Sequence, residues 1–366
     1  MIRFASFNVA MSADSETAIL EQTATLDSLR FKNIAATIQS VRPDVLLLCE
    51  FDHLGEGGDN GALQNFCRHY LNHSQYDVSP IHYPYSYCPS SNTGKLSPVD
   101  LNNDGVISLP EDGLGFGLFH GHYSFVLLSK YPIKIDDIQS WQTLLWQQMP
   151  NSLLPTLYYS PQAQAVLPLS SKNHVCVPIE YDEQIINILC CHPTPPVFDG
   201  EERRNAKRNH DELRLLVDII DGADYLVSDQ GRTSGINLQQ PFVIMGDLNA
   251  DPIDGDGIRA GINTLLNHPL IEKSVATGAK VPASLGGKYK RAYQKRNGKP
   301  DIWTHVSGLR LDYVLPSTHC HIQNSGVFWP DKKDPKRAWI TNHNGKETLT
   351  AYTDHRLVWV DVTISK

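Results

Sequence analysis

The sequence predicts an α/β protein built on a central mixed β-sheet core. Three observations carry that reading. Short, continuous apolar runs such as Val45-Leu46-Leu47-Leu48-Cys49 recur along the chain, and runs of this length read as strands buried on both faces. Segments with helical spacing lie between them. Hydrophobic residues make up 41% of 366 positions, enough to bury one large core.

The elements follow in chain order. Residues 4–9 alternate apolar and polar like a strand. Leu29, Ile34, Ile38 and Val41 suit one helical face, and Arg42-Pro43 ends it. After Val45–Cys49, the runs Phe125–Leu128, Ile185–Cys190 and Phe242–Met245 read as further buried strands. A second helix fits 210–221, with Leu213, Leu216, Val217 and Ile220 on one side. Leu357 to Ile364 alternates and reads as a strand covered on one face. Residues 54–115, rich in Gly, Asn, Asp, Ser and Pro, and residues 141–173, carrying Trp141, Trp146 and Met149, read as loop insertions. Irregular stretches this long inside a compact domain are usually functional. No internal repeat or abrupt change of composition divides the chain, so 1–366 reads as one domain.

Composition excludes several classes. No stretch approaches the roughly 18 apolar residues needed to span a bilayer. A net charge of -8 argues against a general polyanion binder, while leaving room for a local basic patch. The seven cysteines are odd in number and define no disulfide framework. Cys49, Cys190 and Cys191 sit in or beside apolar runs and read as buried thiols.

The chemistry lies where the apolar runs end. The first strand carries Asn8, the second ends at Glu50, the Ile185 run at His192, and the Phe242 run in Gly246-Asp247-Leu248-Asn249. Leu311 precedes Asp312, and Asp354-His355 stands just before the last strand. Any one of these alone is ordinary: a carboxylate at a strand end is usually a solvated turn residue, and a lone histidine is usually structural. Together they bring carboxylates, amides and imidazoles to one sheet edge. A hard divalent cation prefers carboxylate and amide oxygens. Phosphoester hydrolysis also needs activated water, a donor for the leaving oxygen and neutralisation of the phosphoryl charge.

The order FNVAM, LLLCEFD, HPTPP, MGDLNADP, RLDYVLPS and TDHRLVWVDV resembles the endonuclease/exonuclease/phosphatase superfamily, which includes deoxyribonuclease I, over nearly the whole chain. HPTPPVFDG at 192–200, the segment 204–212 and GVFWP at 326–330 are similar to an often exported bacterial branch. The resemblance implies a four-layer α/β sandwich of two packed mixed sheets flanked by helices. It implies Glu50 as the main Mg²⁺ or Mn²⁺ ligand, with Asn8 and Asp354 beside it. It implies that Asp247 and Asn249 orient the attacking water and the phosphate. His355, oriented by Asp312, would serve as base or charge stabiliser, and His192 as acid for the leaving oxygen. Its own carboxylate partner is not identifiable from the sequence. The implied reaction is in-line attack of metal-assisted water on phosphorus, without a covalent intermediate.

A second pattern is independent of the first. Asp100, Asn102, Asp104, Val106, Ser108 and Glu111 fall at loop positions 1, 3, 5, 7, 9 and 12 of a calcium-binding loop, with Gly105 at the turn. Pro98 and Pro110 exclude the usual helix pair, so the expectation is a loop-only, structural Ca²⁺ site. Two basic segments are candidate substrate contacts. Lys288 to Arg296, including Lys290, Arg291 and Tyr293, interleaves cations with aromatics and is either a phosphate-gripping loop or a solvated surface. Arg204 and Arg208 lie four apart and share a helical face, turned either to phosphate or to nearby acids.

The expectation is therefore a metal-dependent phosphoester hydrolase of phosphodiesterase or nuclease type, acting as a monomer on a phosphoester, nucleic acid among the candidates. The competing readings are a phosphomonoesterase for a small sugar- or inositol-phosphate, and a calcium-stabilised binding module with no chemistry. That every catalytic position is filled favours an enzyme. The loop-only calcium site suits calcium-rich extracellular fluid and tilts the expected location to export, with the signal absent from this sequence.

Overall fold

The computed structural model describes all residues except 234, 293, 343, 349–350 and 365–366. Its strands are β1 (Ile2–Met11), β2 (Val45–Phe51), β3 (Tyr85–Tyr87), β4 (Phe125–Ser129), β5 (Gln139–Ser140), β6 (His174–Tyr181), β7 (Gln184–Cys191), β8 (Phe242–Asp247), β9 (Asp312–Pro316), β10 (Cys320–Val327) and β11 (Val358–Ile364). They form a six-stranded sheet in the order β10-β11-β1-β2-β4-β3 and a five-stranded sheet in the order β5-β6-β7-β8-β9. Both are mixed: β1 runs parallel to β2 and β7 parallel to β8, while the other pairings are antiparallel.

The two sheets pack face to face, and strand alternation shows how. In β8, Val243 and Met245 join the core between the sheets, whereas Phe242 and Ile244 join the core on the outer side. In β7, Ile186 and Ile188 point inward, Leu189 and Cys191 outward. Strands apolar on both faces need cover on both. For the six-stranded sheet that cover includes the helix Leu29–Val41. For the five-stranded sheet it is the helix Arg204–Asp221 together with the stretch that follows β5. The result is a four-layer α/β sandwich. Each fully buried Leu, Ile or Val removes apolar surface worth ~1.5–3 kcal/mol.

The first helix starts with a Ser28 side chain that accepts from the Phe31 amide and stops at Arg42, which takes a left-handed conformation before Pro43. Phe31, Ile34, Ile38 and Val41 are buried, but Leu29 is 55% exposed. Phe31 replaces it on the buried face. The second helix begins at Arg204, six residues before the expected start. Asp199 accepts from the Asn205 and Ala206 amides at 2.7 and 2.9 Å, so the carboxylate that caps the first turn lies outside the helix. The charged run 201–212 concealed that start.

The two presumed insertions contribute to the core. Residues 54–115 supply the edge strand β3. From the second stretch, Trp141 and Trp146 are fully buried. Trp146 donates its indole N–H to Asp211 at 2.7 Å, tying this stretch to the second helix. Glu212 on that helix accepts from the Ser171 amide and hydroxyl at 2.7 and 2.9 Å and from the Thr194 amide at 2.6 Å. A single buried carboxylate thus fixes the end of the stretch and the loop that follows His192. Among the described residues, no helix is long and apolar enough to cross a membrane.

Candidate active site

Asn8 and Glu50 belong to one sheet, and His192, Asp247 and Asp312 to the other or its first following residue. They meet because the sheets end together. The pairing of β1 with β2 shifts register between Asn8 and Met11, and Ala10 and Glu50 sit at φ 47° and 55°. A left-handed conformation at a residue other than Gly costs on the order of 1–3 kcal/mol and clusters at functional sites. Here it accompanies the turning of Glu50 toward Asn8. The Asn8 side-chain amide donates to Glu50 Oε1 at 2.9 Å and, across the sheet interface, to Asp247 Oδ2 at 3.0 Å. Asn8 therefore presents its nitrogen to the carboxylates, and its Oδ1 takes the Ala10 amide at 3.1 Å.

Asp247 is the hub. It is 1% exposed, with His192 Nε2 3.5 Å and His355 Nε2 3.6 Å from the same oxygen. Its Oδ1 accepts the Asn249 amide at 3.0 Å. Asn249 is left-handed at φ 51° and donates its side-chain amide to the Pro193 carbonyl at 3.0 Å, locking the loop after His192 to the loop after Asp247. His355 Nδ1 lies 2.9 Å from Asp312 Oδ2. Asp312 is oriented in turn by Thr304, whose hydroxyl donates to Oδ2 at 2.7 Å and accepts the Asp312 amide at 3.0 Å.

The environment separates the two histidines. Burial alone would strip the proton from His355. The carboxylates of Asp312 and Asp247, with the hydrogen bond to Asp312, hold its pKa well above the ordinary imidazole value. His192 is pushed well below that value by burial, then by Lys172 and His355. Its Nδ1 is buried with no hydrogen-bond partner among the described residues, so the carboxylate that the sequence left unidentified is not there. Burial raises Asp247 and Glu50 above the usual carboxylate range. Asp354 goes the other way: burial would raise it, but the His305 hydrogen bond and His355 hold it low.

The structure adds residues that the sequence reading missed. His305 Nε2 lies 3.1 Å from Asp354 Oδ2, and its ring packs 4.6 Å from that of His355. Lys172 is 5% exposed. Burial lowers its pKa against the opposing pull of Glu212, Glu50 and Asp247. His305, Thr304 and Lys172 stand in polar loop sequence, one side chain each, with no periodicity to mark them.

Among the described residues, three sets of donors could hold a metal ion: Glu50, His192 and Asp247; Asp247, Asp312 and His355; His305, Asp354 and His355. Within each set the ligand atoms lie within 4.8 Å of one another. The first set fits a hard divalent cation, since burial penalises both carboxylates and a cation would offset that cost.

Other expected contacts lie elsewhere. Arg208 is 7% exposed and donates to the carbonyls of Leu169, Leu114 and Pro168 at 2.7–2.9 Å. It acts as a structural clamp, with its guanidinium taken up by three backbone carbonyls, rather than as the expected substrate contact. Arg204 pairs with Glu202 and lies over the Tyr158 ring at 5.3 Å, the acid-pairing alternative. Lys290 pairs with Glu347 at 2.7 Å, Arg291 is exposed, and Tyr293 lies outside the described residues. In the loop 100–111, Asp100 accepts the Asn103 and Gly105 amides at 2.6 and 2.8 Å. Asp104 accepts the Val106 amide at 2.8 Å and the Asn102 side chain at 2.9 Å. Ser108 donates its amide to the buried Asp112 at 2.9 Å, and Glu111 is exposed.

Residues 5–355 match the Endonuclease/Exonuclease/phosphatase family. The chain belongs to this family. Among solved structures, it is similar to an endonuclease/exonuclease/phosphatase from Beutenbergia cavernae (15% identity, TM-score 0.50, 99% of this chain and 71% of that one). A family protein from Leptotrichia buccalis (15%, 0.49, 100% of both chains) and sphingomyelinase C from Streptomyces griseocarneus (15%, 0.49, 98% of both) are further neighbours. None of the curated proteins compared with it matches. At 15% identity the Beutenbergia cavernae structure speaks to the fold alone.

One prediction follows from the Asp312–His355 pair. In the metal-free protein, His355 should titrate above the ordinary histidine value of about 6.5. The stability it contributes is complete below that value and is lost as pH rises through the higher folded value. An NMR titration in EDTA measures this, and Asp312→Asn should bring the His355 value down. A wild-type value at or below the ordinary one would contradict the pairing.

Proposed function

We propose that the chain is a divalent-metal-dependent phosphoester hydrolase of phosphodiesterase or nuclease type, with residues 1–366 acting as one catalytic domain. The observation that carries this reading is the convergence of Glu50, Asp247 and Asp312 on His192 and His355 at one end of both sheets. A histidine whose pKa is raised by two flanking buried carboxylates is an arrangement more often found at catalytic sites than in binding modules. Glu50 would be the main ligand for Mg²⁺ or Mn²⁺, with Asp354 beside it; Asn8, expected as a further ligand, instead presents its amide nitrogen to Glu50 and Asp247 and orients their carboxylates. When bound, the cation supplies charge neutralisation at the phosphoryl oxygens and favours ionisation of water.

The chain's own groups supply the rest. Asp247, its basicity raised by burial, accepts a proton from the attacking water, and Asn249 orients the phosphate. His355 enters as an imidazolium that faces the phosphoryl charge, with Asp312 fixing its ring. Its raised pKa favours charge stabilisation over the role of base. His192 enters neutral and offers a hydrogen bond, which modifies its expected role as acid for the leaving oxygen. A phosphodiester rather than a sugar- or inositol-phosphate is the preferred substrate, and parallel assays separate the two.

Activity on bis-p-nitrophenyl phosphate, p-nitrophenyl phosphate and plasmid DNA should require magnesium or manganese and disappear in EDTA. Asp247→Ala and His355→Ala should each reduce it roughly a thousand-fold without unfolding the protein. Full activity in either folded variant would remove the assignment.

We also propose that the loop 100–111 binds Ca²⁺ as a structural site. Asp100, Asn102, Asp104, Ser108 and Glu111 offer side-chain oxygens and Val106 its carbonyl, around a turn at Gly105 with φ 88°. The Asn102 side chain, then the Val106 amide, hold Asp104 below the usual carboxylate range. Calorimetry should detect one calcium ion that is lost in Asp104→Ala. No binding, or the same binding in the variant, excludes the site.

A further inference from the structure

The basic segment expected to grip substrate borders a pocket of its own. Lys288, Lys290 and Arg291, with Lys332 and Arg337 from the chain after β10, line a concave site of about 670 Å³, and Tyr289 stands beside them. Glu347 lies beneath this wall. Its Oε2 pairs with Lys290 at 2.7 Å, and its Oε1 meets Arg337 at 2.9 Å and Arg356 at 3.2 Å. One carboxylate therefore serves three cations. Asp331 is the other acid that Arg337 feels. Lys288, Arg291 and Lys332 are exposed and have no ion-pair partner among the described residues. In a chain of net charge -8, this is a local excess of positive charge in a concavity, the arrangement that concentrates anions.

We propose that this pocket is a phosphate-binding site separate from the catalytic cluster. Arginine forks and lysine ammoniums suit phosphoryl oxygens. A bound phosphoryl group would balance the charge that Glu347 leaves uncompensated. Two hydrogen-bonded links run from the neighbourhood of the pocket toward the catalytic cluster. Arg356, held by Glu347, donates to the His355 and Thr353 carbonyls at 2.7 and 2.9 Å. Farther along the basic segment, Arg296 donates to the Ser307 carbonyl at 3.3 Å, and the Ser307 hydroxyl bonds His305 Nδ1 at 2.6 Å. The site itself does not depend on the catalytic reading, because it uses none of the catalytic residues.

The test is calorimetric titration of inorganic pyrophosphate in EDTA, which removes turnover and divalent cations. The wild-type chain and Asp247→Ala should bind alike. Arg291→Ala/Lys332→Ala, which changes only exposed side chains, should bind about ten-fold more weakly or worse. A second arm uses a short single-stranded oligonucleotide without terminal phosphates. Weakening of both ligands shows that chain phosphates enter the pocket, whereas weakening of pyrophosphate alone restricts it to terminal phosphoryl groups; both support the site. No binding to wild type, unchanged binding in the double variant, or loss in Asp247→Ala would overturn it. Because no metal or activity is involved, a failed phosphoesterase assay leaves this result readable.

Discussion

Strand register places Asp247 and Asp312 opposite each other on the neighbouring antiparallel strands β8 and β9. Two buried carboxylates in that position repel, and burial with the Asp312 charge raises the pKa of Asp247. His355 is what makes the arrangement tenable: one ring nitrogen lies 2.9 Å from Asp312 and the other 3.6 Å from Asp247. The imidazole comes from the segment before β11, in the other sheet, so the charge balance of one sheet depends on a residue delivered by its partner. The Asn8 amide, donating to Asp247 from β1, is a second such link. Together they fix how the ends of the two sheets meet.

The remaining features of the site serve this constraint. The Thr304 hydroxyl holds Asp312 in the orientation that reaches His355. The Thr353 hydroxyl donates to the Asn8 carbonyl at 2.9 Å and accepts the His355 amide at 3.1 Å, seating the histidine against β1. Glu212 holds the loop of Thr194, and hence the approach of His192, from the opposite layer. Removing one member of such a network leaves its partners buried and unpaired, at a cost of roughly 3–5 kcal/mol for an ion pair. The geometry proposed for chemistry thus also contributes to stable packing.

Much of this was legible in the sequence because buried strands announce themselves as apolar runs and their polar ends then stand out. Asn8, Glu50, His192, Asp247, Asp312 and His355 were found that way, and the motif order gave the family. What was hidden had a physical reason. β6 is interrupted by Pro178, β10 by polar residues such as Gln323 and Asn324, and β3 is three residues long, so neither pattern nor length marks them. Arg208 sits in a charged run that looks solvated, yet three carbonyls bury it. Lys172 and His305 become functional neighbours only through tertiary folding. Trp141 and Trp146 stand in a stretch that reads as a loop insertion and are core, because a proline-rich stretch can cover a sheet without being periodic.

The central claim is that this cluster directs water onto phosphorus. Hydrolysis of bis-p-nitrophenyl phosphate in water labelled with heavy oxygen, with manganese present, tests it most directly. One labelled oxygen per turnover should appear in the nitrophenyl phosphate product and none in the nitrophenol. Label in the nitrophenol, or no metal-dependent turnover of any phosphoester by the folded protein, would contradict it.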